Sequence, residues 1–352
     1  MKNITTIALP KLFDSEKLKE DLGKIMPDEW LSHYRGEHYE GGWSVAPLRS
    51  VGGHPLVIYS SPAGSVPNFY KNTPILERCP NFQAVIQWFQ CQVNGARLMC
   101  LDAGSRILEH TDEMDTGDVK ELRIHVPVQT NPQVEFWVDG QQVPMQEGET
   151  WYADFNLPHS VKNHSRSPRI HLVLDCSLND WLELQLEKGT QISRIVGFLN
   201  EIGIKTSAAI LTEETFLPGI KIQGGEIVYD PEKLEFPGDL LHEGGHIAVV
   251  PSNERSKLNG NIGDGNENAM GDEIAAILWS YAAVKHINLP ANLVFHETGY
   301  KGHSDWYLSN FEEDNNYIGL PYLSWLGLAA DENQAAKLGC EAFPVMLRWL
   351  RE

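Results

Sequence analysis

Basic residues are scarce in this chain: 28 Lys and Arg stand against 48 Asp and Glu, for a net charge of −20 over 352 residues. Nucleic acid and anionic membrane surfaces need clustered cations, so neither is expected as a partner. A small anion, which needs only one or two placed arginines, is not excluded. The five cysteines (Cys79, Cys91, Cys100, Cys176 and Cys340) are odd in number and form no CxxC pair. That pattern argues against a disulfide framework and thiolate zinc sites, and it predicts a reduced, cytoplasmic setting. No run approaches the roughly 18 apolar residues that span a bilayer. The opening MKNITTIALPKLFDSEKLKE acquires charge too soon for a signal peptide. Internal repeats and low-complexity segments are also lacking.

What is present falls into two texts. Up to about residue 180 the chain favours short β-like runs broken by Gly, Pro and Asn, such as ARLMCLDAG, LRIHVPVQTN, VEFWVDGQQV and RIHLVLDC. Such spacing reads as a sandwich or barrel, with Asp139-Gly140 as a hairpin signal. Helices are expected over DSEKLKEDLGKIM and NFQAVIQWFQCQV. After Trp181 the pattern turns helical: QISRIVGFLNEIG, DLLHEGGHIAVV, DEIAAILWSYAAVKH and the terminal AFPVMLRWL read as helices. The expected class is α+β, with a β domain over 1–185, a linker at 186–191 and a mostly α-helical domain over 192–352. Both halves are acidic, net −8 through Thr190 and −12 beyond. The Gly/Asn-rich stretch 259–273 reads as a long functional loop, and the aromatic-rich stretch 300–327 as core.

Two constellations carry chemistry. In the first, GSRILEHTDEMD holds His110 and Asp112 at i and i+2, which share one face of a strand. His159, in LPHS, supplies a third donor. Two imidazoles and a carboxylate leave open positions on an octahedral ion, the arrangement of non-haem Fe(II) oxygenases. Arg169, ten residues on, offers the bidentate fork that suits the distal carboxylate of 2-oxoglutarate.

Together with GGWSVAPLRSVGG, Cys79-Pro80, LRIHVPVQTN, GETWYADFNLPHSVKNHS and RIHLVLDC, these residues make the segment from about 40 to 176 resemble the aspartyl/asparaginyl β-hydroxylases, a family of Fe(II)/2-oxoglutarate dioxygenases. The resemblance implies a double-stranded β-helix (a jelly-roll or cupin relative) with His110 and His159 on iron and Arg169 on the cosubstrate. Arg123 and His125 match an Arg-x-His pair that lines the family's cosubstrate pocket. Asp112 departs from the animal peptidyl hydroxylases, which lack the carboxylate, and resembles the bacterial free-amino-acid hydroxylases. The implied reaction consumes O2 and 2-oxoglutarate, releases succinate and CO2, and hydroxylates the side chain of an amino acid, free or in a peptide. Trp43, His164 and His171 are read as structural.

The second constellation is His242-Glu243-x-x-His246. Helical residues four apart share a face, so both imidazoles can bind one Zn2+ with Glu243 beside the open position. The segment resembles a zincin helix. Glu273 is the expected third ligand, with Asp272, His286, His296 and His303 as weaker choices. The adjacent Gly244 and Gly245 disfavour helix by ~2 kcal/mol and call for a compensating close approach. A zinc metallohydrolase or peptidase, and a non-catalytic metal-binding module, are the rival readings of the chain.

Overall fold

Strand Arg169–Ser177 shows how the first half folds. Its even positions, Ile170, Leu172, Leu174 and Cys176, are apolar, and its odd positions include Arg169, His171 and Asp175; nearly all are buried. Successive side chains point to opposite faces of a sheet, so one face packs on helices and the other lines a polar cavity. The same alternation runs along Glu121–Gln129, where Leu122, Ile124, Val126 and Val128 oppose Arg123 and His125.

The computed structural model describes residues 4–60, 69–112, 120–260 and 269–352. The chain divides into two compact units, Met1–Thr190 and Gln191–Glu352. The main strands of the first are β1 (Thr6–Leu12), β2 (Trp43–Val51), β3 (Val93–Leu101), β4 (Arg106–His110), β5 (Glu121–Gln129), β6 (Val134–Val138), β7 (Glu149–Ala153), β8 (His159–Asn163) and β9 (Arg169–Ser177). One antiparallel sheet has the order β1-β7-β5-β9-β3-β2, with short strands Leu31–Ser32 and Tyr70–Asn72 added to β2. The other has the order β6-β8-β4, flanked by Gln141–Gln142 and Tyr39–Glu40. A core containing Val45, Leu101, Ile107, Val138, Val161 and Val173 draws on both sheets. A second core joins the outer face of the larger sheet to α1 (Ser15–Leu22) and α2 (Pro80–Trp88), through Leu18, Phe82 and Val85. Asp139 and Gly140 both take positive φ, as the hairpin signal required.

Several expectations are corrected. Residues 186–191, expected as a linker, are helical: they lie inside α3 (Asp180–Glu201), and the division between the two units falls within that helix. Gly189 sits inside this helix. Its lack of a side chain serves close approach, since a Cβ there would meet the Ala8 carbonyl oxygen at 2.3 Å. The terminal AFPVMLRWL is not helical: Pro344 lacks an N–H and disfavours helical backbone at Phe343. Its Trp349 instead packs edge-on against Phe198 and Trp279. Of the expected loop 259–273, residues 261–268 lie outside the described residues, and α5 begins at Ala269 (Ala269–His286).

The second unit is mostly helical, but it also holds a three-stranded sheet of β10 (Thr206–Ala208), β11 (Ile220–Gln223) and β12 (Glu226–Tyr229). Gly224 and Gly225, both at positive φ, turn the β11–β12 hairpin. This Gly-Gly signal was present in the sequence and unread. In the aromatic-rich stretch, Phe311 is fully buried among other rings, whereas Trp325 is 71% exposed. Among the described residues no helix is long and apolar enough to cross a membrane.

Candidate active site

The antiparallel register of β4 and β8 puts His159 directly opposite His110, with ring centroids 4.3 Å apart. Each ring is oriented by the backbone two residues earlier. His110 Nδ1–H donates to the Leu108 carbonyl at 2.7 Å, and His159 Nδ1–H to the Leu157 carbonyl at 3.0 Å. A ring held this way presents a bare Nε2 lone pair. Asp112 lies just past the end of β4, where its amide donates to the Phe155 carbonyl at 2.8 Å. The two expected ligands thus come from a strand end and from two residues beyond it, rather than from one strand face. Donor atoms of His110, Asp112 and His159 all lie within 4.8 Å of one another.

The charges suit a cation. Burial pushes the His159 imidazole down to about 4, so it stays neutral and able to ligate well below neutral pH. Burial alone would raise Asp112, but Arg123 and the two histidines outweigh it and hold the carboxyl below its usual range. The triad lines a cavity of about 430 Å3, whose walls include Trp43, Phe155 and Arg169. Pockets of that size accommodate small metabolites.

Four arginines line this cavity, Arg35 exposed and the other three buried, and two of the buried three are neutralised. Asp175, fully buried, pairs with Arg97 from β3 and with Arg123 from β5; Arg123 also pairs with Asp112. Arg169 is different. It is 2% exposed, its Nη2 donates to His171 Nδ1 at 2.8 Å, and its Nε has no partner among the described residues. No carboxylate pairs with it there, and burial pushes the guanidinium down to about 9. A buried charge without a counter-ion is costly, so this position is kept for something that brings one.

Comparison with known proteins gives relatives for the first unit. The model of the family described as Aspartyl/Asparaginyl beta-hydroxylase matches residues 13–178. Over that segment, just under half of the chain, the sequence is similar to the aspartyl/asparaginyl β-hydroxylases. A curated relative, L-proline cis-4-hydroxylase of Rhizobium meliloti (strain 1021), is 29% identical over 168 residues, which is 46% of this chain and 57% of the relative. The chain therefore spans just over half the length of that relative. Among solved structures, a 2OG-Fe(II) oxygenase family oxidoreductase from Burkholderia pseudomallei is 17% identical, with a TM-score of 0.35. It covers 50% of this chain and 86% of its own. A prolyl hydroxylase from Trichoplax adhaerens, in complex with a hypoxia inducible factor peptide fragment, is 11% identical, with a TM-score of 0.33. There the coverage is 49% and 83%.

Within the β-hydroxylase segment the structure places the remaining sequence-selected residues as follows. Arg123 lines the cavity, but Asp112 and Asp175 both engage it. His125 also lines the cavity, stacked on Phe155 at 5.0 Å, and its Nε2 lacks a partner among the described residues. Trp43 is buried in the sheet and lines the cavity as well, stacked on His33 at 3.6 Å. His171 is more than filler: its Nδ1 meets both Arg169 and His125. His164 lies at the surface near Glu135. Sequence reasoning missed Asp175, Arg97, Phe155 and His33. Asp175 was findable, because it shares the polar face of β9 with Arg169 and lies opposite Arg123 in register.

The second unit brings its own three residues together. His242 and His246, on α4 (Asp239–Val249), have Nε2 atoms 3.2 Å apart. Glu273, on α5, reaches to 3.7 Å of the first and 3.2 Å of the second. The weaker third-ligand choices are engaged elsewhere: Tyr322 donates to Asp272, His296 pairs with Asp239, and His286 packs on Trp349. The His303 amide donates to the Tyr300 carbonyl.

Proposed function

We propose that this chain is an Fe(II)- and 2-oxoglutarate-dependent hydroxylase acting on the side chain of an amino acid, free or within a peptide. The observation that carries the proposal is Arg169, a buried guanidinium without a counter-ion among the described residues, in the cavity that also holds the His110/Asp112/His159 triad. The residues fit the group they would hold. Two imidazoles with bare Nε2 atoms and one ionised carboxylate are an iron(II) donor set with open positions. Arg169 supplies the charge and donors for a dicarboxylate's far end. The curated relative's name specifies proline, which supports the amino-acid class. Asp112, as in the bacterial free-amino-acid hydroxylases, weighs toward a free substrate.

Bound Fe(II), 2-oxoglutarate and O2 would supply the chemistry: hydroxylation of an unactivated C–H bond, with succinate and CO2 as coproducts. The protein's part is binding and orientation. The Leu108 and Leu157 carbonyls fix both ring tautomers, and Arg123 steadies Asp112. His171 braces Arg169, while Phe136, Phe155 and Trp43 give the cavity apolar walls that restrict water. The five described cysteines are free, which supports a reducing, cytoplasmic setting.

The test is succinate release from 2-oxoglutarate by the purified full chain, with and without Fe(II), across a panel of free amino acids. Arg169→Ala should raise the apparent KM for 2-oxoglutarate by roughly a hundredfold or more, the worth of two charge-assisted hydrogen bonds, and leave iron content unchanged. An unchanged KM would remove Arg169 from the role, and no iron-dependent succinate with any substrate would sink the proposal.

A further inference from the structure

The hydroxylase reading leaves His242, His246 and Glu273 unexplained. Three features of the second unit bear on them. The first is convergence: two Nε2 atoms 3.2 Å apart face one carboxylate, and donor atoms of all three residues lie within 4.8 Å of one another. A cation between them, a metal ion or a proton, is what lets two such nitrogens and a carboxylate share the space. Tyr300 Oη lies 3.3 Å from His242 Nδ1, where it can accept that N–H and leave Nε2 bare.

The second feature is how the third ligand arrives. A Cβ on Gly245 would lie 2.7 Å from the Ala276 carbonyl oxygen and 3.0 Å from its Cα. A Cβ on Gly244 would meet Leu199 Cδ2 at 2.6 Å. The paired glycines, costly inside a helix, let α4 touch the backbone of α5. Glu273 and Ala276 are three residues apart on α5, hence on one face. The contact that requires Gly245 is therefore the one that carries Glu273 to the imidazoles.

The third feature is access. Structural zinc sites are closed by four protein ligands, and catalytic ones keep three and an open position. Among the described residues three donors meet here, and the Glu273 side chain is 46% exposed. Glu243, next along the helix, lines a separate cavity of about 190 Å3 bordered by Phe216, Leu217 and Ile222.

We propose that the second unit is a metal centre independent of the first, in which His242, His246 and Glu273 hold Zn2+ with an open position for an oxygen-donor ligand. Two imidazoles with one carboxylate are an established zinc donor set. This assignment does not rest on the hydroxylase reading.

The experiment uses the full chain carrying His110→Ala and His159→Ala, so that metal reports on the second unit alone. After chelation, reloading with Zn2+ and desalting, mass spectrometry should count one zinc per chain. Adding His246→Ala, or the near-isosteric Glu273→Gln, should weaken zinc binding about a hundredfold or more, with far-ultraviolet dichroism unchanged. Glu243→Gln should keep the metal, since Glu243 is not a ligand. In the Co2+-loaded protein, acetohydroxamate should change the visible absorption. No zinc in the starting variant, or zinc retained in Glu273→Gln, overturns the proposal. A Co2+ spectrum indifferent to acetohydroxamate overturns the open position.

Discussion

The two units assemble the same three donor types by opposite means. In the first, His110 and His159 come from neighbouring strands, and cross-strand register makes them face each other. In the second, His242 and His246 come from one helix, and the helical repeat makes them neighbours. In the first the third donor follows its partner by two residues, while in the second it comes from another helix through a glycine contact. The surroundings differ as well. The first site has four arginines around it; of the three buried ones, Arg97 and Arg123 are paired with aspartates, and Arg169 has no counter-ion among the described residues. Near the second, Glu243 is pushed up to about 7 by burial, and His246 is raised because the Glu273 bond and the Glu243 charge outweigh burial. The contrast shows that a donor set says little about chemistry until the surrounding charge is known: one site is built to receive an anion, and the other is already rich in carboxylates.

The comparison can be broken at its electrostatic centre first. Asp175→Ala strips the counter-ion from two buried arginines and should destabilise the first unit by about 3–5 kcal/mol, measured by urea denaturation. A loss below ~1 kcal/mol would mean that Arg97 and Arg123 are paired some other way. Arg169→Met should do the reverse. Removing an uncompensated buried charge should raise the Tm of the metal- and cosubstrate-free protein while abolishing 2-oxoglutarate use; a lowered Tm would make Arg169 a structural residue.

Gly245→Ala should cost the second unit about 1–3 kcal/mol through overpacking and weaken zinc retention. If it stabilises the helix instead, the backbone contact is not what the glycine is for. The last test concerns pH. His159 is held down to about 4, and His125 and His171 are also lowered by burial. The unfolded chain therefore takes up protons near 6.5 that the folded chain refuses. Stability of the chelator-treated first unit should be full above that value and fall as pH drops from about 6.5 toward 4. Chemical melts across this window that show no slope would contradict buried, neutral imidazoles.

Much of the first site was legible in the text. His110, Asp112, His159 and Arg169 stand within strand-like runs whose alternation survives folding, so their meeting could be anticipated. Asp175, Arg97 and Phe155 were not anticipated, because partners across a sheet are set by register, which a single strand does not reveal. In the second unit the HEGGH helix and Glu273 were legible, and the compensation demanded by Gly244 and Gly245 is explained by their contacts with Leu199 and Ala276. The errors cluster where one residue type has two uses. Residues 186–191 were expected as a linker and are helical, with Gly189 at a close-packing position. Pro344 was passed over in a run whose apolar spacing suggested a helix.

By itself, the sequence determined the local periods, the donor identities and an acidic chain with few cations to place, because these depend on residues a few positions apart. Only the tertiary structure decided which cation is left unpaired. Arg97, Arg123 and Arg169 are chemically alike in the text. Sheet register gives the first two Asp175 and leaves Arg169 a histidine, since charge balance is settled between strands and not along them.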